Sequence, residues 1–209
     1  MSFMGSIREL FKTTITMRKH LLTFAVMLGI AVAFTSCNYN DLVEEQEEVN
    51  QAWAEVENQY QRRSDLIPNL VNTVKGYAAH EENTLTQVVE ARSNASSVTI
   101  QAEDLTEENL AKFQAAQDEL SRGLGRLMAV AESYPDLKAN QNFQELQAQL
   151  EGTENRIAVA RRNYNEEAQE YNAEIRKFPT LIYAGWFGFE KKPYFQAATG
   201  ADKAPTVEF

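Results

Sequence analysis

Residues 42–77 read LVEEQEEVNQAWAEVENQYQRRSDLIPNLVNTVKGY, and this stretch decides the fold. Its apolar residues Leu42, Val49, Trp53, Val56, Tyr60, Ile67, Leu70, Val74 and Tyr77 recur at steps of three, four or seven. That spacing lines side chains along one face of an α-helix. The stripe persists for about five heptads, which predicts a long amphipathic helix needing apolar partners along its length. Gly76 and Ala78-Ala79-His80 end it.

Three further runs downstream share the period. Leu85, Val88, Ala91, Ala95 and Val98 form a shorter stripe that fades into Ser96-Ser97-Val98-Thr99. Thr106-Glu107-Glu108-Asn109 offers a capping hydroxyl and first-turn acids ahead of Leu110, Phe113, Gln117, Leu120, Leu124, Leu127, Ala131 and Tyr134. Pro135 stops that run and suits the first turn of the next helix. The fourth stripe is Phe143, Leu146, Leu150, Thr153, Ile157, Ala160, Tyr164, Ala168, Tyr171, Ile175 and Phe178, ended by Pro179. No useful length alternates with period two. The pattern predicts an all-α, antiparallel up-and-down four-helix bundle with long first and last helices. Gly123 and Gly125 fall inside the third run, which points to close helix–helix approach there.

Composition narrows the chemistry. Among 209 residues, 30 acidic and 20 basic side chains give a net charge of -10. Nucleic-acid binding, which needs clustered Lys and Arg, is therefore not expected. One Cys and two His exclude a disulfide framework and leave no set for a Cys- or His-rich metal centre. Gly-x-Ser-x-Gly and phosphate-loop patterns are missing, so no catalytic residue, metal or cofactor is expected, and the chain does not read as an enzyme.

The first 36 residues form a separate leader. Met17-Arg18-Lys19-His20 is basic, Leu21 to Phe34 is apolar, and Thr35-Ser36 precedes Cys37. Such a series is the layout of a secretory signal; fourteen apolar residues are short for a span, which needs ~20. Small-small-Cys at its end resembles a bacterial lipobox, so Cys37 is the expected site of acylation, palmitate included, and Met17 the expected true start. Cleavage there removes four basic residues and one acid, leaving 16 and 29, net -13. The alternative is an uncleaved signal anchor. Residues 37–178 are expected to form the bundle, and 179–209 an aromatic strap and flexible tail. Between Phe178 and Phe195 lie seven of the chain's 21 aromatics. They suit either a strap across the bundle's base or a Trp/Tyr belt at lipid headgroups.

Two polar groupings stand out. Arg63 occupies a seam position of the first stripe, and depth counted from the turns sets it level with Glu151 and Glu154 on the fourth. A buried Arg–carboxylate layer follows, serving helix register or holding a ligand. Pro68, in the same helix, cannot donate to the Ser64 carbonyl, so a local kink is expected. The turns after Tyr77 and at Tyr134-Pro135 share the end expected to lie far from the membrane. They gather Lys75, Tyr77, His80, Glu81, Tyr134, Asp136, Lys138 and Asn140. This candidate tip either binds a partner or locks the two turns together.

Longer stretches carry a family resemblance. Arg62-Arg63-Ser64-Asp65-Leu66-Ile67-Pro68-Asn69-Leu70-Val71, Val74-Lys75-Gly76-Tyr77-Ala78 and His80-Glu81 resemble the central motif of the LemA family. The likeness continues through Glu132 to Asn140, Leu150 to Ile157 and Ala160 to Asn165, and covers nearly all of residues 39–195 in order. It implies a LemA-like four-helix bundle in the bacterial envelope, with no enzymatic reaction to carry over. Many members have an N-terminal membrane helix, a role the lipid on Cys37 would take here. The expected function is a lipid-anchored interaction or scaffold module outside the cytoplasm, in the cell membrane or outer membrane, with an envelope protein as partner. The alternative is an envelope enzyme, or an accessory factor to a membrane protease or export system.

Overall fold

The computed structural model describes residues 2–196, with side chains described at 17–27 and 39–196. Helix α1 runs unbroken from Ser2 to Tyr77, through the leader and across Pro68. It is followed by α2 (Glu82–Ser97), a 3₁₀ turn at Ala102–Asp104, and α3 (Glu107–Ala131). A single-turn α4 (Pro135–Lys138) leads to α5 (Gln141–Glu174), and α6 (Thr180–Tyr183) continues into a 3₁₀ turn at Ala184–Phe187. The protein is an all-α helical bundle, and no strand occurs among the described residues.

The chain forms two compact units. The larger comprises Glu45–Ala173 and the chain from Lys191 onward. Contacts along α1 give its topology. Ser64 meets Ser96 and Tyr60 meets Phe113, while Trp53, Arg63 and Tyr77 meet Tyr164, Glu154 and Asn140 in turn. Ascending α1 thus descends α5. Trp53 and Tyr60 pack on Phe113, and Arg63 bonds Gln117 and Ser121, so α3 runs parallel to α1. That is the up-down-up-down order.

The stripes supply the core: Ile67, Leu70 and Val74 pack with Leu85, Val88, Leu120, Leu124, Leu127, Phe143 and Leu150. A Cβ on Gly123 would stand 3.6 Å from Val88 Cγ2, so this glycine sits at a close α2–α3 approach. Gly125 faces open space and makes no such approach, contrary to the expectation from sequence. Thr106 caps α3 as its position predicts, accepting from Asn109 N at 3.1 Å.

The expected fourth helix is divided. Pro135 opens only α4, because Asn140 restarts the chain by accepting from Phe143 N at 3.0 Å. Helix α5 stops at Glu174, ahead of Pro179. Residues 191–196 then return to the larger unit as an extended segment. Asn172 exchanges two 2.8 Å hydrogen bonds with the Lys192 backbone, and Asn165 does the same with Phe195 at 2.8 and 3.1 Å. Phe195 stacks on Trp53, and Tyr164 donates to the Pro193 carbonyl.

The smaller unit comprises Met1–Glu44 and Glu174–Glu190. There Tyr39 packs edge-on against Phe187 and Phe189, at 5.3 and 5.6 Å between ring centres. The Cys37 side chain and the tail after Thr199 lie outside the described residues. Among the described residues, no helix is long and apolar enough to cross a membrane.

Candidate functional site

Arg63 is the polar centre of the bundle, and only 1% of it is exposed. Its Nη1 donates to Glu154 Oε1 and Ser121 Oγ, both at 2.8 Å. Nη2 donates to Gln117 at the side-chain oxygen (2.6 Å) and the backbone carbonyl (3.2 Å). The guanidinium also lies 5.0 Å from the Tyr60 ring centre. Burial pushes the Tyr60 hydroxyl above its ordinary pKa, opposed by the charges of Arg161 and Arg63. The guanidinium ties α1 to two other helices, α3 and α5, so rotating or sliding α1 would strand several donors at once.

Glu154 is the carboxylate of this layer and Glu151 is not. Glu151 stands exposed one turn away and accepts from Gln147 at 3.0 Å. Gln117 and Ser121 were not identified from the sequence, although Gln117 lies on the third stripe. A polar residue on an apolar seam opposite a buried Arg was the available signal. Glu154 itself is 46% exposed, so water shares its charge and the ion pair is only half buried.

The layer continues toward α2. Ser64 Oγ lies 3.1 Å from Ser96 Oγ, and Arg92 Nε donates to the Ser64 carbonyl at 2.9 Å. Beside these groups opens a cleft of about 250 Å³, lined by Glu57, Tyr60, Ser64, Ser96, Thr99 and Gln117 among others. Burial raises the Glu57 carboxyl above its ordinary pKa. The buried guanidinium spends both its Nη groups on protein oxygens, while its Nε is buried without a hydrogen-bond partner among the described residues.

At the other grouping the two turns are joined. Tyr77 Oη accepts from Asn140 Nδ2 at 2.9 Å, and Tyr134 donates to Glu81 Oε1 at 3.2 Å. Burial and this carboxylate hold the Tyr134 hydroxyl above its ordinary pKa. Lys138 pairs with Glu132, a partner the sequence did not suggest. Leu137, fully buried, pins α4 to the core. Lys75, His80 and Asp136 are exposed at the same end. Tyr77, Glu81, Tyr134 and Asn140 therefore lock the turns. What they hold in place is an exposed rim of Lys75, His80, Asp136 and the open side of the Tyr77 ring.

Among the described residues, no three His, Cys, Asp or Glu side chains converge as a metal site would require.

The LemA family model matches residues 52–209, a span that contains the polar layer, the tip and the clamped 191–196 segment. The Magnetosome protein MamQ 2 of Paramagnetospirillum magneticum is 28% identical over 200 residues, covering 87% of this chain and 74% of its own length. Protein LemA of Metamycoplasma hominis is 25% identical over 194 residues, covering 93% of this chain and 85% of its own. The Magnetosome protein MamQ of Magnetospirillum gryphiswaldense is 26% identical over 201 residues, with 87% and 74% covered.

Proposed function

The chain belongs to the LemA family, and from that premise we propose that it is a non-catalytic, membrane-anchored helical bundle whose tip engages a protein of the bacterial envelope. The observation that carries this reading is the state of Tyr77. The residue is 44% exposed, yet its hydroxyl is tied to Asn140. An aromatic ring already fixed in place loses little entropy on binding, which is the economy that binding hot spots exploit. Around it Lys75, His80 and Asp136 supply mixed charge.

The long helix sets the reach. From Glu45, where the larger unit begins, α1 rises 32 residues to Tyr77, about 48 Å at ~1.5 Å per residue. An anchor at Cys37 would attach the chain eight residues before that rise begins. The acidic body, net -13 once the leader is removed, has no general attraction to an anionic bilayer, so attachment depends on the acyl chains; two are enough for stable anchoring. Mass spectrometry of the membrane fraction should find a mature N-terminus at Cys37 with acyl mass.

The tip is tested by Tyr77→Ala combined with Lys138→Glu. The reading expects cross-linked envelope partners to be lost while the melting temperature stays within a few degrees, about 2–4 °C. An unchanged partner set would refute it. A collapsed melting temperature would reduce the tip to a lock between turns.

A further inference from the structure

Between Phe178 and Phe187 the chain turns its largest apolar side chains outward. Phe178 and Trp186 are each 82% exposed, and Leu181, Ile182 and Phe187 are also open. The intervening Thr180, Tyr183 and Ala184, with Phe189 beyond, are buried. A strap serving only to cover the base would bury its Trp and Phe rather than its Thr and Ala. This segment has a packed face and a second, apolar, open face. Five large apolar side chains left open within ten residues mark a contact with something other than water.

Two observations identify what it contacts. Tyr39 packs against Phe187 and Phe189 within the smaller unit. It lies two residues beyond Cys37, about 3 Å along the helix, and five beyond the apolar run ending at Phe34. The patch is thus tied to the part of the chain destined for the bilayer. Composition agrees: Trp186, an amphipathic ring, stands among the purely apolar Phe178, Leu181, Ile182 and Phe187, while Lys177 beside them is already paired with Glu174 at 2.8 Å. Trp favours the boundary between headgroups and acyl chains.

We propose that Phe178, Leu181, Ile182, Trp186 and Phe187 form a second membrane contact, seated at the boundary between headgroups and acyl chains of the bilayer that holds the N-terminal segment. The inference rests on the anchored reading above and holds whether the anchor is an acylated Cys37 or an uncleaved apolar helix. With two attachments the smaller unit has a fixed orientation at the bilayer rather than a swivel about one linker.

Trp186 reports on this directly, because Trp53, the chain's other Trp, is buried and donates to the Ile100 carbonyl at 3.1 Å. The full chain is reconstituted in phosphatidylcholine–phosphatidylglycerol vesicles with brominated acyl chains, beside a Trp186→Phe chain that isolates the Trp53 signal. Trp186 emission should shift to the blue and be quenched at least about twofold by the bromines, as expected for an interfacial indole, with iodide in the buffer without effect. A chain that floats with the vesicles while Trp186 is quenched by iodide and not by bromine would overturn the second contact alone. A chain that fails to float would overturn the anchored reading and this one with it.

Discussion

Arg92 on α2 donates from Nε to the Ser64 carbonyl of α1 at 2.9 Å, the acceptor that Pro68 leaves without its helical donor. A proline inside a helix removes the amide that would bond the carbonyl four residues earlier. Ser64 is buried, so water does not readily take that place. A side chain from the next helix supplies the missing proton, and α1 continues to Tyr77. The defect in one helix thereby becomes a tie to another.

Replacing Arg92 by Met should destabilise the bundle by ~1–3 kcal/mol, the cost of a buried unsatisfied acceptor. Pro68→Ala restores an amide donor in the helix. In the Pro68→Ala background the Arg92→Met loss should therefore shrink markedly. Urea unfolding of the two single variants and the double variant measures this coupling. Additive losses would show that Arg92 acts by packing alone.

Arg63 and Glu154 should contribute unequally although they are paired. Arg63→Met leaves the buried Gln117 side-chain oxygen without its donor and opens a cavity where the guanidinium lay, and a loss of ~2–4 kcal/mol is expected. Glu154→Gln removes a charge that is 46% exposed, and solvent screening limits its loss to ~1 kcal/mol or less. Chemical denaturation of the two chains gives the comparison; equal losses would mean that the ion pair, rather than the Gln117 contacts, dominates the layer.

Glu167 on α5 should be unfavourable when charged. Its carboxyl pKa is raised from its ordinary value, first by burial and then by the nearby charges of Glu48, Glu170 and Glu166. Ionisation is harder in the folded chain than in the unfolded one. The charge therefore subtracts stability above the ordinary carboxylate pKa, and the penalty disappears as pH falls below it. Glu167→Gln should stabilise the bundle at neutral pH by about 0.5 kcal/mol, the scale of a like-charge surface pair. Melting curves should show no gain near pH ~3, where the carboxyl is protonated in both states. A gain that persists in acid would assign the effect to something other than charge.

The helical stripes were legible because α1, α3 and α5 bury one face each, and Leu120, Leu124 and Leu127 repeat at the spacing that burial demands. Depth arithmetic along the stripes also led from Arg63 to Glu154. It could not separate Glu154 from Glu151, which differ by three residues, about 4.5 Å of rise; only the reach of one guanidinium distinguishes them. Short-range capping competed with periodicity at Asn140, whose single hydrogen bond to Phe143 N starts α5 anew. The least legible part was residues 191–196. An extended segment held by Asn165 and Asn172 has no period of its own. Its signal was instead the pair of asparagines, seven residues apart on an otherwise apolar and aromatic face of α5.

The central claim, that the bundle works through a pre-ordered tip, is tested most directly by site-specific photo-cross-linking in intact cells. A photoreactive residue is placed at His80, exposed at the tip, and separately at Arg122, exposed on the flank of α3. The account predicts a discrete protein adduct from His80 that is absent from Arg122 and lost when Tyr77 is replaced by Ala. Identical adducts from both positions, or none from His80 in chains that reach the envelope folded, would contradict it.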